Sequence, residues 1–352
     1  MEVRVQQLNA ALKLHKEEPT SDGILLIAKL YCNIGNSYAD LEQFSEAAQY
    51  YNQNLEIVQE ALGPKHIEVA GTLNNLGILG FKEGKLKEAL TLYRKALEIR
   101  KRVLGVGHLE VADSQSNIAH VLQDQGKAEE ALHHFQESLR VQRLSFGQEP
   151  NAAVATTLNN ISLLLRSQGL HSEALRYAEE ALQHRVQVYG TEHLEVASSH
   201  SNIGSILEHQ GKHEEALSRY EASLRMSRKF LGNEHPESLE VMKSKMVVYL
   251  ELGKQPDTIA RARELIEEDL VTTRQIYGSN HPYVAMLLRN VGTNLLQNGD
   301  PGAAYRFFGE DLQITKRVFG KENPSALTQI TDDMSSSWLK CLRGIAKDPT
   351  PP

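Results

Sequence analysis

The sequence predicts an all-α fold, a solenoid of antiparallel helix pairs, because it contains an internal repeat with a period of mostly 42 residues. Each repeat has an alanine at the start of its second half and a glycine at its end. The two series keep the same register, which indicates one array of stacked repeats rather than several independent domains. The alanines are Ala47, Ala89, Ala131, Ala174, Ala216, Ala262 and Ala304, and the glycines are Gly63, Gly105, Gly147, Gly190, Gly232, Gly278 and Gly320.

Repeat 64–105 is the clearest copy and shows why each repeat should be a pair of helices. Apolar and small residues recur every three or four positions on both sides of Gly84, which is the spacing of a helix face. Gly84 separates the two runs and Gly105 ends the second. Runs of roughly 13 to 19 residues make about three to five turns, so the repeat is a helix, a tight turn and a longer helix.

Three positions of the repeat have a structural explanation. A glycine at the turn suits a helix that ends with one residue at positive φ. The alanine lets two helices approach closely, and an aromatic residue four positions later lies one turn along the same face. We therefore interpret the aromatics as core residues and not as a cofactor site. The turn residues are Glu42, Gly84, Gly126, Gly169, Gly211, Gly253 and Gly299, and the aromatics are Tyr51, Tyr93, Phe135, Tyr220 and Phe308.

The chain is predicted to contain seven repeats between two terminal segments. Residues 1–23 are expected to form a capping helix or the remnant of a truncated upstream repeat. Residues 321–346 are expected to form a C-terminal capping helix, and 347–352 a flexible tail. The sixth repeat is the outlier, with four extra residues around Pro256. The repeats span 24–63, 64–105, 106–147, 148–190, 191–232, 233–278 and 279–320.

Composition excludes several classes of protein. A net charge of −7 argues against a sequence-independent nucleic-acid binder, which needs a dense basic face. The two cysteines, Cys32 and Cys341, lie in the first repeat and in the C-terminal segment and form no disulfide framework, which fits a reducing compartment. No apolar run is long enough for a signal peptide or a membrane span. The expected location is the cytoplasm, with the cytoskeleton as a possible site of association.

The pattern resembles the tetratricopeptide repeat, with a small residue in the first helix, then the alanine, then the aromatic. The joints between repeats are similar to those in the long repeats of kinesin light chains and nephrocystin-3-like proteins. This resemblance implies a right-handed superhelix whose first helices line a concave groove for peptide segments of partner proteins. The joints are LGPKHIEVA (62–70), LGVGHLEVA (104–112), YGTEHLEVA (189–197) and YGSNHPYVA (277–285), and the small residues are Gly35, Gly77, Ala119, Ser162, Gly204 and Gly292.

An asparagine recurs in the first helix of every repeat but the sixth, which has Ser244. Asparagine is a mediocre helix former, so its repeated use within a helix needs an explanation. The resemblance implies that each amide projects into the groove and bonds the backbone of a bound peptide, since an amide offers a donor and an acceptor. The alternative is that each amide bridges to the backbone of the neighbouring repeat. The asparagines are Asn33, Asn75, Asn117, Asn160, Asn202 and Asn290.

Charged residues expected on the concave face have both signs, unlike the more uniformly basic groove that a kinesin light chain implies. Among the basic residues, Arg166, Lys243 and Arg289 are candidate peptide contacts, and the last two predict a local site for an acidic peptide. Ordinary solvated charge is the alternative. The carboxylate clamp of chaperone-binding repeats is incomplete, because Asp113 and Asn117 stand where it needs lysine and arginine. Binding of an acidic chaperone tail is therefore not expected.

Histidines recur at the joints, and we interpret them as helix caps or turn residues. Neighbouring repeats stack about 10 Å apart, too far for zinc, which bonds histidine at about 2.0–2.1 Å. No P-loop motif occurs, and no serine, cysteine or carboxylate pair has a catalytic context. We therefore expect no cofactor, no metal and no enzymatic activity. The histidines are His66, His108, His193, His235 and His281.

The sequence thus predicts a scaffold that binds peptide segments of other proteins, with no nucleic acid and no membrane insertion. The leading specific hypothesis is a cargo adaptor similar to a kinesin light chain, with the kinesin heavy chain as a further partner reached through a region upstream of Met1. The alternative is the sensor or regulatory array of a larger NTPase-containing protein. Heptads upstream would favour the adaptor, and a P-loop would favour the sensor.

Overall fold

The computed structural model describes residues 20–319, apart from 148, 254–257 and 298, together with residues 6, 9–11 and 13. Within these ranges the regular secondary structure is entirely helical. The chain divides into two compact halves, Met1–Val188 and Tyr189–Pro352. Three predicted segments lie outside the described part of the chain. They are the cap at 1–23, apart from its described residues, the C-terminal helix at 321–346 and the tail at 347–352.

The N-terminal half contains four consecutive helix pairs. In its first three pairs the two helices pack against each other, and the second helix of each also packs on the first helix of the next pair. The first helix begins at Ser21, three residues before the first predicted repeat. The helices are α1 (Ser21–Asp40), α2 (Phe44–Leu62), α3 (Ile67–Lys82), α4 (Leu86–Leu104), α5 (Leu109–Asp124), α6 (Ala128–Phe146), α7 (Ala152–Ser167) and α8 (His171–Tyr189), the last ending at the boundary between the halves.

The C-terminal half continues with three more pairs of the same kind. In each of the described pairs the second helix has 19 residues, whereas the first helix has between 16 and 20. The predicted all-α array of helix pairs, with the longer helix second in all but the first pair, is confirmed. The helices are α9 (Leu194–His209), α10 (His213–Leu231), α11 (Pro236–Leu252), α12 (Ile259–Tyr277), α13 (Pro282–Gln297) and α14 (Pro301–Phe319).

The core of each pair contains the repeated alanine, and in five pairs it also contains the repeated aromatic. All seven alanines are completely buried, with 0% of their surface exposed. The aromatics are buried as well, and in four repeats their rings lie directly against the glycine of the preceding helix. In the fourth repeat Ala178 takes the place of the ring, and the hydroxyl of Ser162 instead donates to the carbonyl of Ala174 at 2.8 Å. The prediction that the aromatics are core residues is confirmed.

The turn inside each pair has the predicted left-handed residue in all but one described case. Gly84 has φ 75° and Glu42, which replaces glycine in the first repeat, has φ 58°. Gly253 is the exception: its φ is −71°, so the prediction of a left-handed residue there was wrong. Gly253 immediately precedes the extra residues of the sixth repeat, so the connection there is not the short turn of the other repeats.

The joint histidines cap the helices that come after them. In each case the imidazole Nδ1 accepts a hydrogen bond from the backbone N–H two residues later, at 3.1–3.3 Å. Such a bond satisfies one of the free N–H groups at a helix start. At the fourth joint, which lacks histidine, the Asn151 side chain accepts from Ala153 N–H at 2.8 Å and performs the same role. The interpretation of the histidines as caps is confirmed.

Among the described residues, no group of three or more His, Cys, Asp or Glu side chains is placed to hold a metal ion. None of the described helices combines the length and the apolar character needed to cross a membrane.

Candidate peptide-binding surface

The repeated asparagines of the N-terminal half lie at one position of successive first helices. Asn33, Asn75, Asn117 and Asn160 belong to α1, α3, α5 and α7, and each is half-buried. A half-buried position near the middle of a helix holds the amide close to a neighbouring repeat but leaves part of the amide accessible to a ligand. The geometry therefore permits both roles considered from the sequence.

Two of these amides bond to the first helix of the preceding repeat. Asn117 Nδ2 donates to Asn74 Oδ1 at 2.9 Å, which joins α5 to α3. Asn160 Nδ2 lies 3.3 Å from His120 Nε2, which joins α7 to α5. Burial lowers the pKa of His120, so its ring is the neutral form that can accept this bond. The bridging role is observed here, although the acceptor is a side chain and not the expected backbone.

The side-chain oxygens of the same two amides are available as hydrogen-bond acceptors. Among the described residues, no hydrogen bond to the Oδ1 of Asn117 or Asn160 is formed. Because Nδ2 is fixed by its bond to the neighbouring helix, the direction of Oδ1 is fixed as well. A row of oriented acceptors can accept the N–H groups of an extended backbone.

The C-terminal half repeats this arrangement less regularly. Asn202 on α9 is half-buried, and Asn290 Nδ2 on α13 contacts Met246 Sδ on α11 at 3.0 Å. In the sixth repeat the Ser244 hydroxyl donates to the Glu240 carbonyl of its own helix at 3.2 Å. Its other hydrogen bond is to the Tyr220 hydroxyl, so it contacts the second helix of the preceding repeat and not the first.

The candidate basic residues differ in how strongly they are engaged. Arg289 Nε donates to Asp311 Oδ2 at 2.8 Å and its Nη2 donates to Oδ1 at 3.2 Å, a bidentate pair. The Asp311 side chain is fully buried, so this pair holds α13 to α14 within the last repeat. Lys243 pairs with Glu240 at 3.1 Å on the surface, and Arg166 is half-buried on α7. Contact with a bound peptide stays a prediction for all three, as does the acidic-peptide site for Lys243 and Arg289, and for Arg289 such contact would compete with Asp311.

Sequence reasoning missed a buried ionic cluster in the sixth repeat. Lys245 Nζ lies 3.2 Å from Asp269 Oδ2, and both side chains are almost completely buried. The hydroxyls of Tyr249 and Tyr283 donate to the same carboxylate oxygen, at 3.4 and 3.2 Å. Burial, followed by the Asp269 charge, raises the pKa of Tyr283 well above its usual value. A signal was present, because the position of Lys245 is occupied by Ile, Leu or Val in the other repeats.

Comparison with known proteins identifies the repeat. The sequence model of the tetratricopeptide repeat matches residues 26–81, 68–144, 153–229 and 195–267 in one form and 284–325 in another. No curated protein sequence matches the chain.

Solved structures share this fold at low sequence identity. BtubC (BKLC) from P. vanneervenii is 21% identical with a TM-score of 0.55, and the match covers 67% of this chain and 92% of that one. The TPR-like repeats of a Podosopora anserina protein described as a kinesin light chain are 18% identical with a TM-score of 0.51, covering 58% and 96%. Aspartyl phosphate phosphatase F from Bacillus subtilis is 17% identical with a TM-score of 0.55, covering 88% and 75%.

The resemblance drawn from the joints and the small-residue pattern is confirmed for the repeat class. Family matches extend over most of the sequence, and the helix pairs have the packing that the repeat requires. The chain belongs to the tetratricopeptide repeat family.

Proposed function

We propose that this protein is a scaffold that binds peptide segments of partner proteins along its first helices, and that it has no enzymatic role. The observation that supports this most directly is the row of asparagines in the N-terminal half. Asn117 and Asn160 use Nδ2 to bond the preceding repeat, and their oxygens face no donor among the described residues. Peptide binding is the function such a row serves best.

The affinity would come from many weak amide contacts and not from one strong anchor. Each N–H donated by the peptide to an asparagine oxygen would contribute about 0.5–1.5 kcal/mol. Because the bridging bonds already orient the amides, little side-chain entropy is lost when a peptide binds. Contacts to the peptide backbone are independent of its sequence, so the surface would accept a range of partners.

The test is peptide selection on two variants. A random peptide library would be panned on the wild-type chain, and the selected peptides titrated by fluorescence anisotropy against Asn117→Ala/Asn160→Ala. We expect at least a tenfold loss of affinity with unchanged helicity. Asn52→Ala is the matched control, because Asn52 is exposed on the second helix α2. Equal affinity of the double variant and the wild type would remove the asparagine row from the proposal.

The more specific proposal is a cargo adaptor of the kinesin light chain type, cytoplasmic or associated with the cytoskeleton. It is supported by the joint sequences 62–70, 104–112 and 189–197, and by a structural neighbour described as a kinesin light chain. The fold does not decide this, since another neighbour is named as a phosphatase. The kinesin heavy chain would then be a partner as well.

A direct binding measurement separates the adaptor from the regulatory array. Acidic peptides that contain an aromatic residue would be titrated into the chain beside charge-reversed versions of the same peptides. Selective binding of the acidic series, weakened by Lys243→Gln, supports the adaptor. No preference for the acidic series would contradict it and favour the regulatory array of a larger NTPase-containing protein.

A further inference from the structure

An ion pair between repeats recurs on the second helices at two joints. Arg143 on α6 bonds Glu180 on α8, and Arg274 on α12 bonds Glu310 on α14. In both, the arginine lies twelve residues after the repeated alanine and the glutamate six residues after the next one. These side chains are partly exposed, so each pair is a modest link between neighbouring repeats.

The same two positions between α10 and α12 are occupied by Arg228 and Glu268, yet no ion pair joins them within the described residues. Arg228 Nε instead donates to the Tyr277 hydroxyl at 3.2 Å, and the guanidinium lies 5.3 Å from the centre of that ring. Its Nη2 is buried and has no acceptor among the described residues. A buried donor without a partner costs about 1–3 kcal/mol or more, so it requires an explanation.

Both residues line a cavity of about 620 Å³. Arg228 lines it from α10 and Glu268 from α12, and the Lys245–Asp269 pair also contributes to its lining. The rest of the lining is partly apolar and includes three further charged side chains, Glu221, Arg225 and Lys229. The volume is in the range of roughly 300–1,000 Å³ that is typical of small-molecule sites. The apolar wall consists of Leu224, Leu265 and Ile276.

A groove at the corresponding position in the N-terminal half allows a comparison of the lining residues. The groove between α2 and α4 has a volume of about 410 Å³ and is lined by both apolar and charged residues. At the position of Arg228 it has Gln59, and at the position of Glu268 it has Lys95. The arginine and glutamate of the larger cavity are therefore not a general property of the repeat.

We propose that the cavity between α10, α11 and α12 binds a small zwitterion, with a phosphate or carboxylate at one end and an amine at the other. The anionic end would accept from Arg228 Nη2, the donor that lacks a partner. The amine would donate to Glu268, which lines the cavity from α12. The ligand would thus take the place of the ion pair found at the other two joints. This site is separate from the asparagine surface and does not depend on peptide binding.

Calorimetric titration at low ionic strength tests the proposal with three probes. O-phosphoethanolamine and β-alanine carry an amine with a phosphate or a carboxylate, and ethanolamine carries the amine alone. We expect saturable binding of at least one zwitterion, at least tenfold tighter than ethanolamine. The better of the two zwitterions identifies the anionic group. Absence of saturable binding by both zwitterions would overturn the proposal.

Four variants assign the site. Arg228→Gln, which introduces the residue found at Gln59, should weaken zwitterion binding at least tenfold, and Glu268→Gln, which removes the acceptor for the amine, should weaken it as well. Arg143→Gln and Glu180→Gln change the same repeat positions where the ion pair is formed, and they should bind like the wild type. Circular dichroism establishes that each variant is folded. Binding by Arg228→Gln that equals the wild type would refute the site.

Discussion

Gly77 faces the ring of Tyr93 so closely that a Cβ atom at Gly77 would lie 2.7 Å from Tyr93 Cε1. The same contact occurs at Gly35–Tyr51, Gly204–Tyr220 and Gly292–Phe308, at 2.6–2.8 Å. An aromatic ring thus occupies the space that a side chain on the first helix would need. This contact fixes the distance between the two helices of a pair.

Gly77→Ala should destabilise the protein by about 1–3 kcal/mol, since the added methyl group must displace a packed ring. The free energy of unfolding from urea titration measures the effect. Gly71→Ala is the matched control on the same helix, because a Cβ there has no neighbour within 4 Å. That control should be neutral or stabilising by about 0.5–1 kcal/mol. Equal losses for both variants would show that the ring contact is not the cause.

Removal of a histidine cap should cost about 0.5–2 kcal/mol, the usual effect of a lost N-cap. His108→Ala removes the acceptor for the Glu110 N–H, whereas His108→Asn should retain most of the stability. Asn151 already performs this role at the fourth joint. The measurement is the urea midpoint of both variants. An asparagine variant as unstable as the alanine variant would contradict the capping interpretation.

Acid should destabilise the fold through two half-buried histidines. Burial lowers the pKa of His134 and of His200 to about 4, so both rings are neutral in the folded chain at pH 6. The unfolded chain, with an ordinary pKa of about 6.5, binds protons first as the pH falls. Stability is therefore complete above about pH 6.5 and declines toward pH 4.

Each of these histidines should contribute about 1–2 kcal/mol to that decline after allowance for solvent screening. Urea unfolding at pH 7 and pH 4.5 measures it. His134→Gln/His200→Gln should reduce the difference between the two pH values. A difference as large as that of the wild type would assign the effect to other groups.

Breaking the buried pair of the sixth repeat should be costly. Lys245→Ile leaves the buried Asp269 carboxylate without its cation, which should cost about 3–5 kcal/mol. Lys245→Ile/Asp269→Ser introduces the combination present in the fifth repeat, Ile203 with Ser223, and should recover most of the loss. Unfolding free energies of the single and double variants give the coupling. A double variant no more stable than Lys245→Ile would mean that the pair is not coupled.

The fold could be predicted because each repeat obeys the same local rules. The buried alanine, the ring and the left-handed turn residue are short-range features, and repetition separates them from chance. The sixth repeat is different, because it keeps Gly253 but with a φ of −71°, which could not be foreseen from the residue type. The repeat pattern is interrupted directly after this glycine, where the sixth repeat has its extra residues.

The candidate surface could be predicted only in part. The sequence placed the asparagines on the first helices, because their spacing matches that of the alanines. It could not tell that Asn117 bonds Asn74, or that Arg289 is held by Asp311, because these contacts depend on how adjacent helices pack. Nor could it tell that Lys245 is buried beside Asp269.

The glycine and its ring belong to the same hairpin, so this contact is formed entirely within one repeat. A gene duplication or deletion of one whole period would therefore add or remove one complete glycine–ring contact. Arrays of this type can change length by whole hairpins during evolution, whereas a gain or loss of part of a period would separate the glycine from its ring.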